Sequence, residues 1–202
     1  MSTFQSQPHV PAGFPALARA CQQSLRAEQQ YQRAAALMSE ASLQVIAHAF
    51  RFTAAQEKEH AAVLRGLLQA CGAAHDAVPA GLPALPREPE ALLRYALQQE
   101  TACAEEIFPD AAREAAANGL PRIASALTRI AETEQLHARR FRQYLAALED
   151  GTLLRSPAPT SWLCLPCGSL HFGCDAPERC DGCGCGPGHF IRSDFHPFAV
   201  RR

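Results

Sequence analysis

The stretch LTRIAETEQLHARRF, residues 127–141, has an apolar residue at nearly every third or fourth position. Residues at this spacing lie on one face of a helix, and Glu134 and His137 fall on that same face, between its apolar ends. An apolar face of this kind packs into the core of a helical bundle, so both polar side chains are predicted to be buried. A buried carboxylate without a partner is costly, which indicates that something in the core neutralises Glu134.

An earlier stretch, FTAAQEKEHA at residues 52–61, repeats the arrangement with Glu57 and His60. Two further predicted helices each place a single carboxylate on the core face. Two Glu-x-x-His helices and two Glu helices make the ligand pattern of di-iron carboxylate bundles, and mixed oxygen and nitrogen ligands suit iron or manganese better than zinc. The sequence therefore predicts a catalytic site for two iron ions, bridged by Glu57 and Glu134, with the ligands Glu28, Glu57, His60, Glu100, Glu134 and His137.

The fold predicted around this site is mainly α, a ferritin-like four-helix bundle over residues 14–150. Short turns after the first and third helices make their neighbours antiparallel, and Pro109 is predicted to kink the third helix. The connection 72–88 can run the length of the bundle, because extended it reaches about 55 Å while a 28-residue helix measures about 42 Å. The four helices are predicted at about 15–38, 41–71, 89–118 and 121–149.

The composition changes after residue 150, where helix-forming residues give way to Cys, Gly and Pro. Residues 151–160 are predicted to be a linker, and 161–202 a small metal-knuckle domain. Two Cys-x-x-Cys pairs are a strong signal for a tetrahedral metal site, although their spacing alone does not separate iron from zinc. Cys174 and Cys185 lie outside the pairs as spare thiols, with Cys185 as a competitor of Cys183. The predicted ligands are Cys164, Cys167, Cys180 and Cys183.

The overall charge argues against several classes of partner. Lys and Arg total 19 and Asp and Glu total 20, which favours neither nucleic acid nor an anionic membrane surface. No apolar run approaches the roughly 20 residues of a membrane span, and the N-terminus has no signal-peptide pattern. Cysteines this dense at short spacing indicate metal binding in a reducing compartment, so a cytoplasmic location is expected.

The motifs together resemble the rubrerythrin family over nearly the whole chain. The resemblance implies a rubredoxin-like C-terminal domain with one iron ion, besides the two carboxylate-bridged iron ions of the bundle. It also implies reduction of hydrogen peroxide to water, with NAD(P)H electrons arriving through a separate reductase or rubredoxin, and a homodimer. The matching stretches are Ala27-Glu28, 52–61, Glu100, 107–109, 130–137, Trp162–Gly168, Ala176–Cys183 and His189-Phe190.

The chain departs from the family pattern at two positions. Typical rubrerythrins have a further carboxylate one helical turn after the position of Glu100, and here that residue is Cys103. A core tyrosine of the family is replaced by Phe108. Cys103 is either a packing residue or a modulator of the site, acting as an iron ligand or as an oxidisable thiol.

Three functions follow from these alternatives. The first is a peroxidase of the rubrerythrin type. The second is a ferroxidase or dioxygen-reducing, iron-handling protein, which the substitution at Cys103 favours. The third is a non-catalytic scaffold stabilised by metal, with zinc at the C-terminal cysteines. The sequence leaves open the native metals, the electron donor, and whether a dimer exchanges helices.

Overall fold

The helices of the bundle begin with proline in three cases, because a proline in the first turn removes an N–H that has no acceptor there. The computed structural model describes residues 14–72 and 81–195. The second helix begins three residues later than the sequence suggests, since Ser42 has a left-handed φ of 59° and cannot belong to a right-handed helix. The long helices are α1 (Pro15–Glu40), α2 (Gln44–Ala70), α3 (Pro89–Ala102), α4 (Phe108–Ala117) and α5 (Pro121–Glu149).

The third predicted helix is divided by a π-helical segment, Cys103–Ile107, between α3 and α4. Pro109 accordingly stands in the first turn of α4, where its missing N–H costs no hydrogen bond. The predicted distortion is therefore present as a change of helix type before the proline. Single π-helical turns of this kind are frequent at functional sites.

Two apolar clusters occupy the two ends of the bundle, and the predicted metal ligands lie between them. One cluster contains Tyr31, Phe50 and Phe141, whose rings pack at centroid distances of 4.8–5.7 Å. The other contains Leu64 and Phe108. Helices α1, α2 and α5 contribute to both ends, whereas α3 contributes to the first cluster and α4 to the second. The mainly helical, ferritin-like bundle predicted from the sequence is confirmed.

A three-stranded antiparallel sheet follows the bundle, in the order β2-β1-β3. β1 begins inside the range predicted as a linker, so only residues 150–154 connect α5 to the sheet. Trp162 is completely buried beneath the sheet and donates from Nε1 to the carbonyl oxygen of Gly173 at 3.1 Å. The strands are β1 (Arg155–Cys164), β2 (Leu170–Asp175) and β3 (Phe190–Arg192).

The C-terminal module packs against the bundle near the turn between α1 and α2. Gly188 approaches the backbone of Ser42 so closely that a Cβ atom at this glycine would lie 1.9 Å from the Ser42 carbonyl oxygen. Ile191 and Leu153 belong to the same apolar cluster as the aromatic end of the bundle, and Phe195 contacts the ring of Tyr144. The two modules therefore share a buried contact.

Three predicted features fall partly outside the described residues: the N-terminus (1–13), the middle of the crossover (73–80) and the end of the rubredoxin-like domain (196–202). Within 14–72 and 81–195, no helix combines the length and the apolar character that a membrane span requires.

Candidate metal centres

A cluster of ligand atoms occupies the layer between the two apolar ends of the bundle. Glu57, Glu100, Glu134 and His137 each bring one donor atom into a group in which all atoms lie within 4.8 Å of one another. All four side chains are at least 98% buried. These residues come from α2, α3 and α5, so three helices contribute to one buried site.

His60 lies beside the cluster and shares its carboxylates with His137. Glu134 places one oxygen 3.0 Å from Nδ1 of His60 and its other oxygen 3.0 Å from Nδ1 of His137. Glu57 lies 3.6 Å from Nδ1 of His60 and 3.1 Å from Nδ1 of His137. Each carboxylate therefore reaches both imidazoles, as a ligand that bridges two metal ions must do.

Several donor atoms in the cluster have no hydrogen bond, although they are buried. They are Oε1 of Glu57, Oε1 of Glu134 and Nδ1 of His60. Buried polar atoms are almost always paired, so convergent atoms without a hydrogen bond indicate a missing cationic partner. The donor set of carboxylate oxygens and imidazole nitrogens fits iron or manganese, and it fits a pair of ions because two carboxylates bridge two histidines.

The electrostatics of the cluster show how strongly it attracts positive charge. Burial disfavours the charged imidazole, but the carboxylates outweigh it and raise the pKa of His60 to about 9 and that of His137 to about 11. Burial would also raise the pKa of Glu134, yet its close contacts with the His137 and His60 imidazoles outweigh burial and lower it. Burial raises the pKa of Glu100 well above its ordinary value, and the charges of Glu57 and Glu134 add to the increase. A bound cation would replace the protons that the two rings hold.

Two contacts fix the orientation of the ligands, and the sequence analysis missed both. Tyr31 donates its hydroxyl hydrogen to Oε1 of Glu100. Nε2 of His137 lies 3.1 Å from Oε1 of Gln56, which also accepts a 3.5 Å hydrogen bond from Arg140. With Nε2 donating, Nδ1 of His137 is left facing the carboxylates. Tyr31 lies on the predicted core face of α1, whereas Gln56 is one residue from a predicted ligand and has no further sequence signal.

Glu28 is not part of the cluster that the described residues form. Its side chain is half-buried, whereas its neighbour Ala27 is buried. The core face of α1 runs from Ser24 through Ala27 to Tyr31, with spacings of three and then four. The sequence-based prediction ran instead from Ser24 through Glu28 to Tyr31, with spacings of four and then three residues. Both orders satisfy the spacing rule for a helix face. Spacing alone does not decide between Ala27 and Glu28 as the inward residue, and the role of Glu28 as a ligand stays a prediction.

Cys103, the predicted modulator, is 4% exposed and lies in the π-helical segment, one turn after Glu100. Burial, and then the negative charges of Glu134, Glu100 and Glu57, raise the pKa of its thiol well above the ordinary value. The thiol of Cys103 is therefore held in its neutral form.

The second candidate centre is the group of four cysteines in the C-terminal module. Sγ of Cys164 lies 3.4 Å from Sγ of Cys167 and 3.6 Å from that of Cys183, and Cys167 lies 3.6 Å from Cys180. Each pair is followed by a glycine with positive φ, Gly168 or Gly184, whose N–H donates to the carbonyl of the first cysteine. Two such knuckles facing each other form a tetrahedral thiolate site.

Two further side chains approach this centre. Sγ of Cys185 lies 3.4 Å from Sγ of Cys164, so the competition expected between Cys185 and Cys183 has a structural basis. Nε2 of His171 lies 3.6 Å from Sγ of Cys180. Burial opposes ionisation of Cys180, but backbone N–H groups and His171 outweigh it and lower the pKa of this thiol to about 5. Cys174 is exposed and is not part of the four-cysteine group.

Comparison with known proteins agrees with this pair of centres. The family model for rubrerythrin matches residues 16–146. The rubrerythrin of Nitratidesulfovibrio vulgaris is 32% identical over 145 residues, which cover 72% of this chain and 75% of that protein. A relative from Methanocaldococcus jannaschii is 37% identical over 78 residues, and the chain spans only 38% of its length.

Solved structures show the same architecture. Nigerythrin in its mixed-valence state matches with a TM-score of 0.59 at 22% identity, covering 95% of this chain and 91% of that one. At this identity the similarity concerns the fold, which includes both modules. The carboxylate–histidine site and the four-cysteine site fit the iron cofactors of rubrerythrins. The family model covers more than half of the chain, and the chain therefore belongs to the rubrerythrin family.

Proposed function

We propose that this protein reduces hydrogen peroxide to water, using electrons that enter through the four-cysteine iron site. The proposal rests on two candidate metal sites in the same chain. The bundle has donors for a pair of metal ions, and the C-terminal module has four cysteines for a single ion. Two adjacent iron ions supply the two electrons that cleave the O–O bond, and two protons complete the conversion to two water molecules. An iron ion held by four thiolates would pass one electron at a time, which suits the stepwise re-reduction of the two iron ions in the bundle.

The proposed ligands in the bundle are five residues. Glu57 and Glu134 would be shared by the two ions, because each contacts both imidazoles. His60 would help to hold one ion and His137 the other. Glu100 belongs to the His137 side, since its Oε2 lies 3.3 Å from Nδ1 of that ring. The proposed ligands in the C-terminal module are Cys164, Cys167, Cys180 and Cys183.

The surrounding residues protect the site and hold protons near it. The His60 side chain is 13% exposed, whereas the four cluster residues are essentially buried, so a small oxidant would enter beside His60. The Tyr31 hydroxyl stays protonated and donates a hydrogen bond to Glu100. It does so because burial and the neighbouring carboxylates raise the pKa of this phenol well above the ordinary value. We propose the Tyr31 hydroxyl as the proton donor beside Glu100.

The electron route favours a second copy of the chain. The C-terminal module packs beside Ser42, at the N-terminal end of α2, and the stretch from Gln44 to Glu57 measures about 20 Å along the helix. Electron transfer slows steeply with distance. In a homodimer, the four-cysteine site of the partner subunit could lie closer to the metal site of the bundle and would then transfer electrons to it faster. The external donor is proposed to be a reductase, with NAD(P)H as the source, or a rubredoxin.

The proposal divides the chain into a bundle domain (14–150) and a rubredoxin-like domain predicted at 161–202, whose first strand already begins at Arg155 within the predicted linker 151–160. A cytoplasmic location is proposed for the protein. All nine cysteines are free thiols, as they would remain in a reducing compartment.

Stopped-flow absorbance tests the proposal on the iron-loaded, anaerobically reduced protein, mixed separately with peroxide and with dioxygen. Peroxide is expected to restore the thiolate-to-iron bands much faster than dioxygen does. A faster reaction with dioxygen would instead assign the protein to the ferroxidase or dioxygen-reducing class, which the non-carboxylate residue at Cys103 favours. Zinc in the four-cysteine site and no reoxidation with either oxidant would leave a metal-stabilised scaffold.

A further inference from the structure

Two polar side chains that do not belong to the four-cysteine group lie against its sulfur atoms. Oγ of Ser169 lies 3.2 Å from Sγ of Cys167, and Nε2 of His171 lies 3.6 Å from Sγ of Cys180. These two sulfur atoms are neighbours, 3.6 Å apart, and they belong to different Cys-x-x-Cys loops. Two of the four sulfur atoms therefore have a hydroxyl or an imidazole beside them that the Cys-x-x-Cys motif itself does not require.

Ser169 and His171 reach the site from one short segment of extended chain. Ser169 directly precedes β2 and His171 is the second residue of that strand, so the two side chains lie on the same face. Backbone contacts fix the segment, because the N–H of Cys164 donates to the carbonyl oxygen of Ser169 at 2.9 Å and His171 pairs with Trp162 of β1. Leu170, between the two polar residues, is 71% exposed, as the alternation of a strand requires.

Packing holds both polar groups in place beside the sulfur atoms. The ring of His171 meets the buried ring of Phe190 at 90°, with centroids 5.1 Å apart. The backbone of Gly182 comes so close to Ser169 that a Cβ atom at this glycine would lie 2.6 Å from the hydroxyl oxygen and 3.4 Å from Sγ of Cys167. The hydroxyl therefore occupies the space that a side chain at position 182 would need.

Iron in the site would make both groups hydrogen-bond donors to sulfur. The thiol of Cys167 can donate to the Ser169 hydroxyl, whereas a metal-bound thiolate has no proton and only accepts. Reduction of the iron by one electron leaves the site with one more negative charge, and no bond is made or broken. Donors to the sulfur atoms stabilise this more negative state, and hydrogen bonds to sulfur are one of the factors that set the potential of such a centre.

We propose that Ser169 and His171 are positioning residues that raise the reduction potential of the iron ion at the four cysteines. By donating to the sulfur atoms of Cys167 and Cys180, they set how readily this ion accepts an electron from the donor protein. The proposal rests on the iron occupancy and the relay role proposed above for this site, but not on peroxide as the oxidant.

A redox titration of the full-length, iron-loaded protein, followed by the thiolate-to-iron absorption, measures this potential. In Ser169→Ala and in His171→Phe, the loss of one donor should lower the equilibrium constant for reduction about threefold to tenfold, which is about 30–60 mV for a one-electron couple. Ser169→Thr and His171→Gln keep a donor and should recover most of the potential. The absorption of each oxidised variant shows that its iron site is intact.

Ser161→Ala is the matched control, because it removes another half-buried serine hydroxyl, on β1, opposite the exposed Phe172. Its potential should equal that of the unsubstituted protein. An unchanged potential in Ser169→Ala or in His171→Phe would overturn the role of that residue, and an equal shift in Ser161→Ala would overturn both. A four-cysteine site that takes up no iron would also overturn the proposal. The titration needs no oxidant of the bundle, so its outcome is separate from that of the peroxide experiment.

Discussion

Glu134 joins His60 to His137 across the bundle, with each of its oxygens 3.0 Å from the Nδ1 atom of a different ring. The two rings are nearly parallel, at 24°, and their centroids lie 5.8 Å apart. A single buried carboxylate thus sets both the distance and the facing atoms of the two imidazoles.

Glu100 and Glu28 make a matched pair of substitutions. Glu100→Gln is expected to cost the bundle at least one of its two iron ions, because a buried cluster carboxylate is lost. Glu28→Gln is expected to leave the iron content unchanged, because Glu28 is outside the cluster. Elemental analysis of the reconstituted proteins measures both. Iron loss in Glu28→Gln alone would show that α1 supplies a ligand after all.

Gln56 is expected to act by positioning His137, since its Oε1 accepts from Nε2 of that ring. Gln56→Ala should weaken metal binding in the bundle by about 10–100-fold, which is the usual effect of removing a partner of a ligating histidine. Gln56→Glu keeps an acceptor and should recover most of the affinity. Competition with a chelator measures the affinity, and Gln135→Ala, on the exposed surface of α5, is the control.

The metal-free protein should become less stable as the pH rises from 7 to 10. The pKa of His60 is raised to about 9 and that of His137 to about 11, so their stabilising contribution is complete below about 6.5 and is lost as pH rises through the folded values. Urea unfolding followed by helical circular dichroism measures the trend. His60→Gln should flatten the slope between pH 7 and 9, and an unchanged slope would contradict the assignment.

The four-cysteine site is expected to control electron entry without controlling the bundle metal. Cys167→Ser should abolish the thiolate-to-iron absorption and the turnover supported by an electron-donor protein. Chemically reduced bundle iron in this variant should still react with peroxide. Cys174→Ser is the matched control, because this exposed cysteine is outside the four-cysteine group. Loss of bundle iron in Cys167→Ser would mean that the two centres depend on each other structurally.

The contact between the modules depends on the absence of a side chain at Gly188. A Cβ atom there would meet the Ser42 carbonyl oxygen at 1.9 Å, and backbone cannot yield as a flexible side chain can. Gly188→Ala should therefore destabilise the packed arrangement by about 1–3 kcal/mol, the usual cost of overpacking.

Gly186→Ala is the control for that substitution, since nothing lies within 4 Å of a Cβ atom at this position. Thermal unfolding and proteolysis of the connection 150–154 measure both variants. Equal stability of the two variants would mean that the modules are not held together at this point.

Periodicity and spacing were sufficient for much of this protein. Spacing of three and four places Glu57, Glu134 and His137 in the core whatever the details of packing, because apolar residues flank them on the same helix face. The cysteine pairs likewise predict their own site, since a Cys-x-x-Cys loop is a local structure. These features depend on residues close together in the chain, and one sequence contains that information.

Tertiary structure decided the features that depend on how helices are rotated against each other. Ala27 and Glu28 fit the helical spacing equally well, and only packing against the neighbouring helices turns Ala27 inward. The acceptor for Nε2 of His137 comes from α2, 81 residues earlier, so no local pattern reveals Gln56. The position of Cys103 depends on the π-helical segment, which changes the rotation of the third helix within the bundle. Sequence determined the residues that flanking apolar neighbours place in the core, and the tertiary structure determined how each helix is rotated and which buried residues meet.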